Sequence, residues 1–157
     1  MNNDLLINIT GSGFKSNGAN HLKLSNMDDL EAIRKKRLQE LQRSLEARQY
    51  PAEPVVVTDT GFDQFVSQYP LTVIDCWAQW CAPCRMLSPI IDQLASELQG
   101  KIVFGKLDTD QNPVIAQKLR ITSIPTLLIF RQGNLVDRIS GALPKHLLLQ
   151  RLKPIIN

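Results

Sequence analysis

Cysteine, histidine and long apolar segments are scarce in this sequence, and each scarcity argues against a class of protein. The chain has three cysteines, all between residues 76 and 84, which is too few and too clustered for a secreted disulfide scaffold. No apolar run approaches the ~18 residues of a membrane-spanning helix. The net charge of +3 comes from basic residues dispersed among acidic ones, so binding to nucleic acid or a membrane is not predicted.

The chain also offers little for a metal site or for export. His21 and His146 are the only histidines and there is no second cysteine pair, whereas a structural zinc ion needs four ligands. We therefore expect no metal and no cofactor. The first residues lack the basic segment and the long apolar core of a secretory leader, which predicts a soluble cytoplasmic protein.

What is present divides into four parts. Residues 1–24 are rich in Asn, Gly and Ser without strong periodicity, which predicts a disordered or loosely ordered segment. Residues 25–50 have the pattern of an amphipathic helix, and residues 51–54 form a linker that begins and ends with proline. Residues 55–157 alternate apolar runs with helical patterns, which predicts a single folded domain.

The predicted helix between residues 26 and 49 has an acidic first turn and a narrow apolar stripe. Six apolar residues fall near one face: Met27, Leu30, Ile33, Leu38, Leu41 and Leu45. Arg34 and Arg37 break this stripe, which leaves three interpretations open. The helix docks on the neighbouring domain, stands solvated and partly frayed, or associates with itself as a coiled coil.

The pattern from residue 55 onwards predicts an α/β domain. Strands are predicted over residues 55–57, 71–77, 102–107, 126–131 and 135–140. Helices are predicted over residues 60–69, where Thr60 is the expected cap, and over 84–98, 113–119 and 144–155. The second of these is expected to be interrupted or kinked at Pro89. Strands joined first through helices and finally by a hairpin predict a central mixed β-sheet with helices on both faces.

The segment from Trp77 to Met86 carries the chemistry. It places Cys81 and Cys84 at a junction between a strand and a helix, where backbone N–H groups favour a thiolate. Cys81 lies at the mouth of the helix, whereas Cys84 lies one turn inside it and is shielded. We therefore expect Cys81 to attack a substrate disulfide and Cys84 to resolve the mixed disulfide.

Two residues of the preceding strand carry further predictions. Asp75 is an acid inside an apolar run, which predicts burial and a raised pKa of its carboxyl group. Cys76 follows it and points to the opposite face of the sheet, where it is expected to fill the core.

An ordered series of motifs extends across the domain, and through it residues 55–157 resemble the thioredoxin family. The series consists of Val73-Ile-Asp75, Trp77-Ala-Gln-Trp-Cys-Ala-Pro-Cys84, Pro89, Lys106-Leu-Asp-Thr-Asp-Gln-Asn-Pro113, Ile124-Pro-Thr126 and Gly141. A lone Cys-x-x-Cys pair would be a weak signal, but the complete series in this order is specific.

The resemblance implies a thioredoxin fold and a monomeric protein-disulfide reductase. Its partners would be client proteins that contain disulfides and a recycling enzyme of the thioredoxin-reductase type. Asp75, near Lys106, would help to deprotonate Cys84, and Ile124-Pro125 would be a cis-proline loop facing the cysteines. The surface that binds an extended client segment would consist of Trp80, Ala82, Pro83, Ile124, Pro125 and Gly141.

The chain departs from the family pattern in two places. Ala82 stands where the commonest motif has glycine, which is a mild change that could alter the start of the helix and the redox potential. Residues 1–54 exceed the minimal fold, so the alternative function is an interaction protein whose N-terminal extension recruits a partner. No histidine lies between the cysteines, which favours a reductant over an oxidant.

Overall fold

The computed structural model describes residues 27–156, and the predicted disordered segment 1–24 lies outside them. The chain separates into a unit that ends at Arg37 and a unit that begins at Leu38. The helices are α1 (Met27–Ala47), α2 (Phe62–Gln68), α3 (Ala82–Glu97), α4 (Pro113–Lys118) and α5 (Lys145–Ile156). The strands are β1 (Val55–Val57), β2 (Leu71–Trp77), β3 (Val103–Asp108), β4 (Thr126–Arg131) and β5 (Asn134–Ser140).

The five strands form one mixed sheet in the order β1-β3-β2-β4-β5. Strand β3 pairs in parallel with β1 and β2, whereas β4 pairs antiparallel with β2 and β5. The parallel neighbours are connected through helices, while β4 and β5 form a hairpin whose turn has positive φ angles at Gln132 and Gly133. The mixed sheet predicted from the order of elements is confirmed.

Strand β2 is buried on both sides because helices cover both faces of the sheet. On one face, α3 and α5 pack against the sheet through Leu87, Ile91, Leu94, Leu148 and Leu152. On the other face, α2 and α4 pack against it through Phe62, Phe65, Val66 and Ile115. The apolar run in β2 therefore reflects a central strand with two buried faces rather than an exposed edge.

Two details of the predicted helices differ from the structure. Thr60 does not cap α2, because the helix begins two residues later and the Thr58 hydroxyl, rather than that of Thr60, accepts the Gly61 N–H at 3.3 Å. Helix α3 continues through Pro89, so the predicted interruption is absent, while the alternative of a kink at this residue stays a prediction. Proline removes one backbone donor from the helix, and the buried apolar face on either side of it holds the two turns together.

Helix α1 has the predicted position and length but buries none of its side chains. In the unit that begins at Leu38, the apolar side chains of Leu38, Leu41 and Leu45 are all exposed. Within this unit, the docked-helix interpretation is therefore wrong for the apolar stripe. Only the end of the helix makes a close approach, where Gly100 has a φ of +81° and a side chain at that position would collide with Ala47.

The chain that follows α1 contacts the core on the face of the sheet that α2 and α4 cover. Tyr50 is half-buried, and its ring lies 5.6 Å from that of Tyr69. The backbone carbonyl of Tyr50 accepts a hydrogen bond from the side-chain amide of Gln99 at 2.7 Å. Tyr50 thus contacts the core of the domain directly before residues 51–54, the predicted linker.

Candidate active site

The two cysteines of the motif lie where β2 is followed by α3, as the sequence predicts. Cys81 is the N-cap of α3, and the N–H of Cys84 points at the Cys81 sulfur from 3.3 Å. Their side chains form a disulfide, with the two Cα atoms 5.3 Å apart. When the disulfide is reduced, the same N–H and the helix N-terminus favour a thiolate on Cys81.

The disulfide is covered on its inner side and bordered by exposed residues on its outer side. Both cysteine side chains are buried, whereas Ala82 and Pro83 between them are exposed. Trp80 is 69% exposed, and its indole N–H donates to the Asp110 carboxylate at 2.9 Å. This hydrogen bond fixes a large apolar ring beside the disulfide, where it is available for contact with another molecule.

The predicted loop at Ile124-Pro125 lies against the cysteines. Its peptide bond is cis, and Ile124 packs on the small cluster formed by Ala78, Cys81 and Cys84. The carbonyl of Pro125 accepts a hydrogen bond from the N–H of Gly141 at 2.8 Å. Gly141 has a φ of +91°, a conformation that glycine adopts without strain, and it is exposed. Ile124 thus contacts the disulfide, while Pro125, which is buried, is hydrogen-bonded to the exposed Gly141.

Asp75 is buried on the inner side of the disulfide. Its side chain is 1% exposed, and its Oδ1 atom has no hydrogen-bond partner among residues 27–156. Burial raises the pKa of this carboxyl from 3.8 to about 7, with Lys106 opposing the shift and Asp92 adding to it. The carboxyl group therefore exchanges its proton near neutral pH.

Lys106 is the register partner of Asp75 on the adjacent parallel strand. Its ammonium group does not bond to Asp75, however, but donates to the Ser88 hydroxyl at 2.7 Å and to Asp92 at 2.8 Å. The predicted proximity of Asp75 and Lys106 is thus present along the sheet. The direct partners of the ammonium lie on α3.

A small cavity of about 190 Å³ connects these groups with the inner cysteine. Its lining consists of Asp75, Trp77, Cys84, Arg85, Ser88 and Lys106. Cys81 is not among these lining residues, so the two sulfurs of the disulfide have different surroundings. The volume is sufficient for a water molecule, and the lining offers polar atoms to hold one.

Cys76, the third cysteine, is separate from this site. It lies on the opposite face of the sheet, buried in the core with Ile74 and Leu128. Burial, together with the nearby Asp75 carboxylate and against the opposing effect of Arg138, raises the pKa of its thiol to about 12. The thiol therefore stays protonated and inert at neutral pH, in agreement with the predicted role as core filler.

Three residues of the site were not found by sequence reasoning. Ser88 and Asp92 are four residues apart and share one face of α3, a spacing that can be read from the sequence, but nothing local shows that this face meets Lys106. Asp110 reaches Trp80 across 30 residues of chain, for which the sequence has no local signal. No three His, Cys, Asp or Glu side chains within residues 27–156 are grouped to hold a metal ion.

Together, these features are those of a thiol–disulfide exchange protein. A redox pair of cysteines at a helix N-terminus, a buried carboxyl behind it and a proline loop across from it can exchange disulfides with another protein. The family model described as Thioredoxin matches residues 53–154, and the chain belongs to the thioredoxin family.

Curated relatives agree with this assignment. The chain is 46% identical over 114 residues to "Thioredoxin M-type, chloroplastic" of Pisum sativum, covering 71% of this chain and 66% of the pea protein. It is 47% identical over 98 residues to "Thioredoxin 1" of a Nostoc species, covering 62% of this chain and 92% of that protein. It is also 47% identical to the thioredoxin of Pyropia yezoensis, with 64% and 95% covered.

The fold has a solved counterpart as well. A mutant thioredoxin of Halobacterium salinarum superposes with a TM-score of 0.65 at 28% identity, covering 69% of this chain and 95% of that structure. The protein is therefore a thiol–disulfide oxidoreductase, a disulfide reductase of the thioredoxin type. Among its described helices, none combines the length and apolar character needed to cross a bilayer.

Proposed function

We propose that Cys81 is the nucleophile and Cys84 the resolving cysteine in the reduction of client disulfides. The Cys81 thiolate attacks one sulfur of the client disulfide, forms a mixed disulfide and releases the other client sulfur as a thiolate. Cys84 then attacks the Cys81 sulfur, the Cys81–Cys84 disulfide forms and the second client thiol leaves. Two electrons pass to the client, and a reductase then supplies two further electrons that reduce the Cys81–Cys84 disulfide to the dithiol.

The single observation that carries this assignment is the asymmetry of the cavity. Its lining includes Cys84 and Asp75, while Cys81 is the N-cap residue beside the exposed Ala82 and Pro83. In this proposal, a client sulfur approaches from the side of Ala82 and Pro83 and meets Cys81 first. The Cys84 sulfur shares the cavity with the buried carboxyl of Asp75, which is available to accept a proton in the second step.

Asp75 acts in this proposal as the acceptor of the Cys84 proton during resolution. Its pKa of about 7 supports the role, because a base with a pKa close to the working pH accepts and returns a proton readily. The proton passes through a water molecule, for which the cavity has room. Lys106 tunes this base electrostatically without a direct hydrogen bond to it.

The client binds as an extended segment on the outer side of the disulfide. The surface proposed for it consists of Trp80, Ala82, Pro83, Ile124, Pro125 and Gly141. Exposed apolar area at Trp80 supports this function, and the backbone of the loop at Ile124 offers hydrogen bonds to an extended chain. Because most of this surface is apolar, we expect low selectivity for the amino-acid sequence around the client's disulfide.

The recycling partner, the monomeric state and the cytoplasmic location remain predictions. Membership of the thioredoxin family implies clients that contain disulfides and a reductase that regenerates the dithiol. The finer prediction is a reductase of the thioredoxin-reductase type. The pea relative is named as chloroplastic, so the compartment of this chain requires its own measurement, for example by imaging a tagged full-length protein.

Reduction of insulin disulfides by dithiothreitol tests the proposed roles. The protein is expected to accelerate this reaction, and Cys81→Ser to reduce the acceleration at least about 100-fold because no mixed disulfide can form. Cys84→Ser, reduced beforehand and mixed with insulin after the dithiothreitol is removed, is expected to accumulate the mixed disulfide, visible on a non-reducing gel.

Cys76→Ala is the matched control, since it removes a thiol that lies in the core and outside the site. It is expected to keep the activity. Equal rates for Cys81→Ser and the parent protein would rule out Cys81 as the nucleophile. A mixed disulfide between insulin and Cys84 in Cys81→Ser would mean that Cys84 is the nucleophile and Cys81 the resolving cysteine.

A further inference from the structure

The ammonium group of Lys106 is held by two side chains of helix α3. It donates to the Ser88 hydroxyl at 2.7 Å and to the Asp92 carboxylate at 2.8 Å. Ser88 and Asp92 are four residues apart, so both project from the same face of the helix. Two of the three N–H donors of the lysine are therefore engaged by α3.

Asp75 is the nearest carboxyl along the sheet and has no such partner. Its Cα is in register with that of Lys106 on the neighbouring strand, and its Oδ1 atom accepts no hydrogen bond from any residue that the structure describes. Buried charges in proteins are usually paired, so a direct ion pair between this carboxylate and the ammonium group would be the ordinary arrangement. Here the ammonium is instead turned towards the helix.

We propose that Ser88 is a positioning residue, which together with Asp92 holds the Lys106 ammonium on α3 and keeps it from pairing directly with Asp75. The proposal deepens the proposed function, since it concerns the base assigned to the resolution step. Ser88 lines the same cavity as Asp75, Cys84 and Lys106, so its hydroxyl holds the ammonium beside a space that the carboxyl group also borders.

The chemistry gives the hydroxyl a defined effect on the base. A direct pair with Lys106 would stabilise the Asp75 carboxylate and lower its pKa, leaving a weaker proton acceptor at neutral pH. The other charged groups near the carboxyl are Arg85 and Asp92, both on α3, and the thiol of Cys76 lies on its own strand. Cys84 is held in the disulfide of the oxidised protein and does not titrate there.

The titration of Asp75 in the oxidised full-length protein tests this proposal. Its side-chain carboxyl carbon is followed by NMR from pH 4 to 9 in the parent protein and in Ser88→Ala. We expect Ser88→Ala to lower the midpoint by about 0.5 pH unit or more, because the freed N–H moves towards the carboxylate. Ser88→Thr keeps a hydroxyl and is expected to restore the midpoint.

Ser67→Ala is the matched control, since its hydroxyl bonds to a backbone carbonyl in α2, away from the site. It should leave the midpoint unchanged. An unchanged midpoint in Ser88→Ala would overturn the proposal. If this variant also unfolded more easily, the Ser88 hydroxyl would have a purely structural role. A raised midpoint would overturn the proposal as well. The titration needs no enzymatic turnover, so its failure is distinguishable from failure of the insulin assay.

Discussion

Helices α1 and α3 both carry an apolar stripe in the sequence, yet only one of them is buried. Leu94 of α3 has no exposed surface and lies in the core between α3, α5 and the sheet, whereas Leu41 of α1 is 61% exposed. Leucine and isoleucine occur at helical spacing in both, but α1 carries many more charged residues, and Arg34 and Arg37 break its stripe. The composition of each helix and its surroundings both contribute to the difference.

The comparison shows what an amphipathic pattern can and cannot predict. The spacing of apolar residues identifies the face of a helix that would gain most from burial. It does not identify the element that covers this face. Helix α3 is tied to the sheet by short connections on both sides, so its stripe meets β3 and β4, while α1 precedes the linker and has no equivalent constraint.

The largest expected effect concerns the buried helix. Leu94→Ala should lower the free energy of unfolding by about 2–5 kcal/mol, because it removes buried methyl groups and leaves a cavity that the core fills only in part. The matched variant Leu41→Ala should change it by less than about 0.5 kcal/mol, since the side chain is already in water. Denaturant unfolding of both variants measures the difference. Equal losses would mean that α1 is covered in solution.

The next effect concerns Asp75, whose carboxyl group is buried behind the disulfide. Because the pKa of Asp75 rises from 3.8 to about 7 on folding, the folded protein binds more protons than the unfolded chain between these values, and stability falls as the pH rises through them. Above pH 7 the folded protein holds a buried, unpaired charge. Asp75→Asn removes this charge and should stabilise the oxidised protein.

The expected gain is up to about 4 kcal/mol above pH 7, at about 1.4 kcal/mol for each unit of the shift. It should shrink as the pH is lowered and nearly vanish at pH 4, where the parent carboxyl is neutral as well. Guanidinium unfolding at a series of pH values measures it. A gain that is the same at every pH would mean that the effect comes from packing and not from the charge.

The smallest effect is expected from removing most of α1. A variant that begins at Ala47 should stay folded, keep its insulin-reducing activity and change in stability by less than about 1 kcal/mol, because residues 27–46 are exposed. Removal of residues 1–51 also deletes Tyr50, with its ring contact to Tyr69 and its hydrogen bond to Gln99. That shorter chain should fold but be less stable than the variant that begins at Ala47. If the variant that begins at Ala47 did not fold, α1 would belong to the core.

The redox motif and the order of elements were predictable from the sequence for physical reasons that act locally. A β-branched apolar run followed by a helical pattern places Cys81 at a helix N-terminus, whichever way the rest of the chain folds. An acid at position 75 inside that run is buried whenever the strand is central. The series of motifs led to the thioredoxin family and so to the loop at Pro125, which composition and spacing do not reveal.

The failed predictions come from groups that compete within a turn or from a neighbour distant in sequence. Thr60 was expected to cap α2, but Gly61 is the N-cap and no side chain caps the helix; the N–H of Gly61 turns back to the hydroxyl of Thr58 in the preceding turn. The prediction of an interruption at Pro89 weighed the lost backbone hydrogen bond alone. It left out the buried face of α3, which favours a continuous helix.

The chemical character of this protein is already contained in its linear order of residues: a pair of thiols, the end of the helix on which they lie, and the acid that precedes them. These features depend on residues close to one another along the chain, whose interactions act before the fold is complete. The bonds from the Lys106 ammonium to Ser88 and Asp92, 18 and 14 residues away, rather than to the neighbouring Asp75, required the folded molecule. Contacts of this kind depend on how a helix packs on a sheet, and that packing is a property of the whole core.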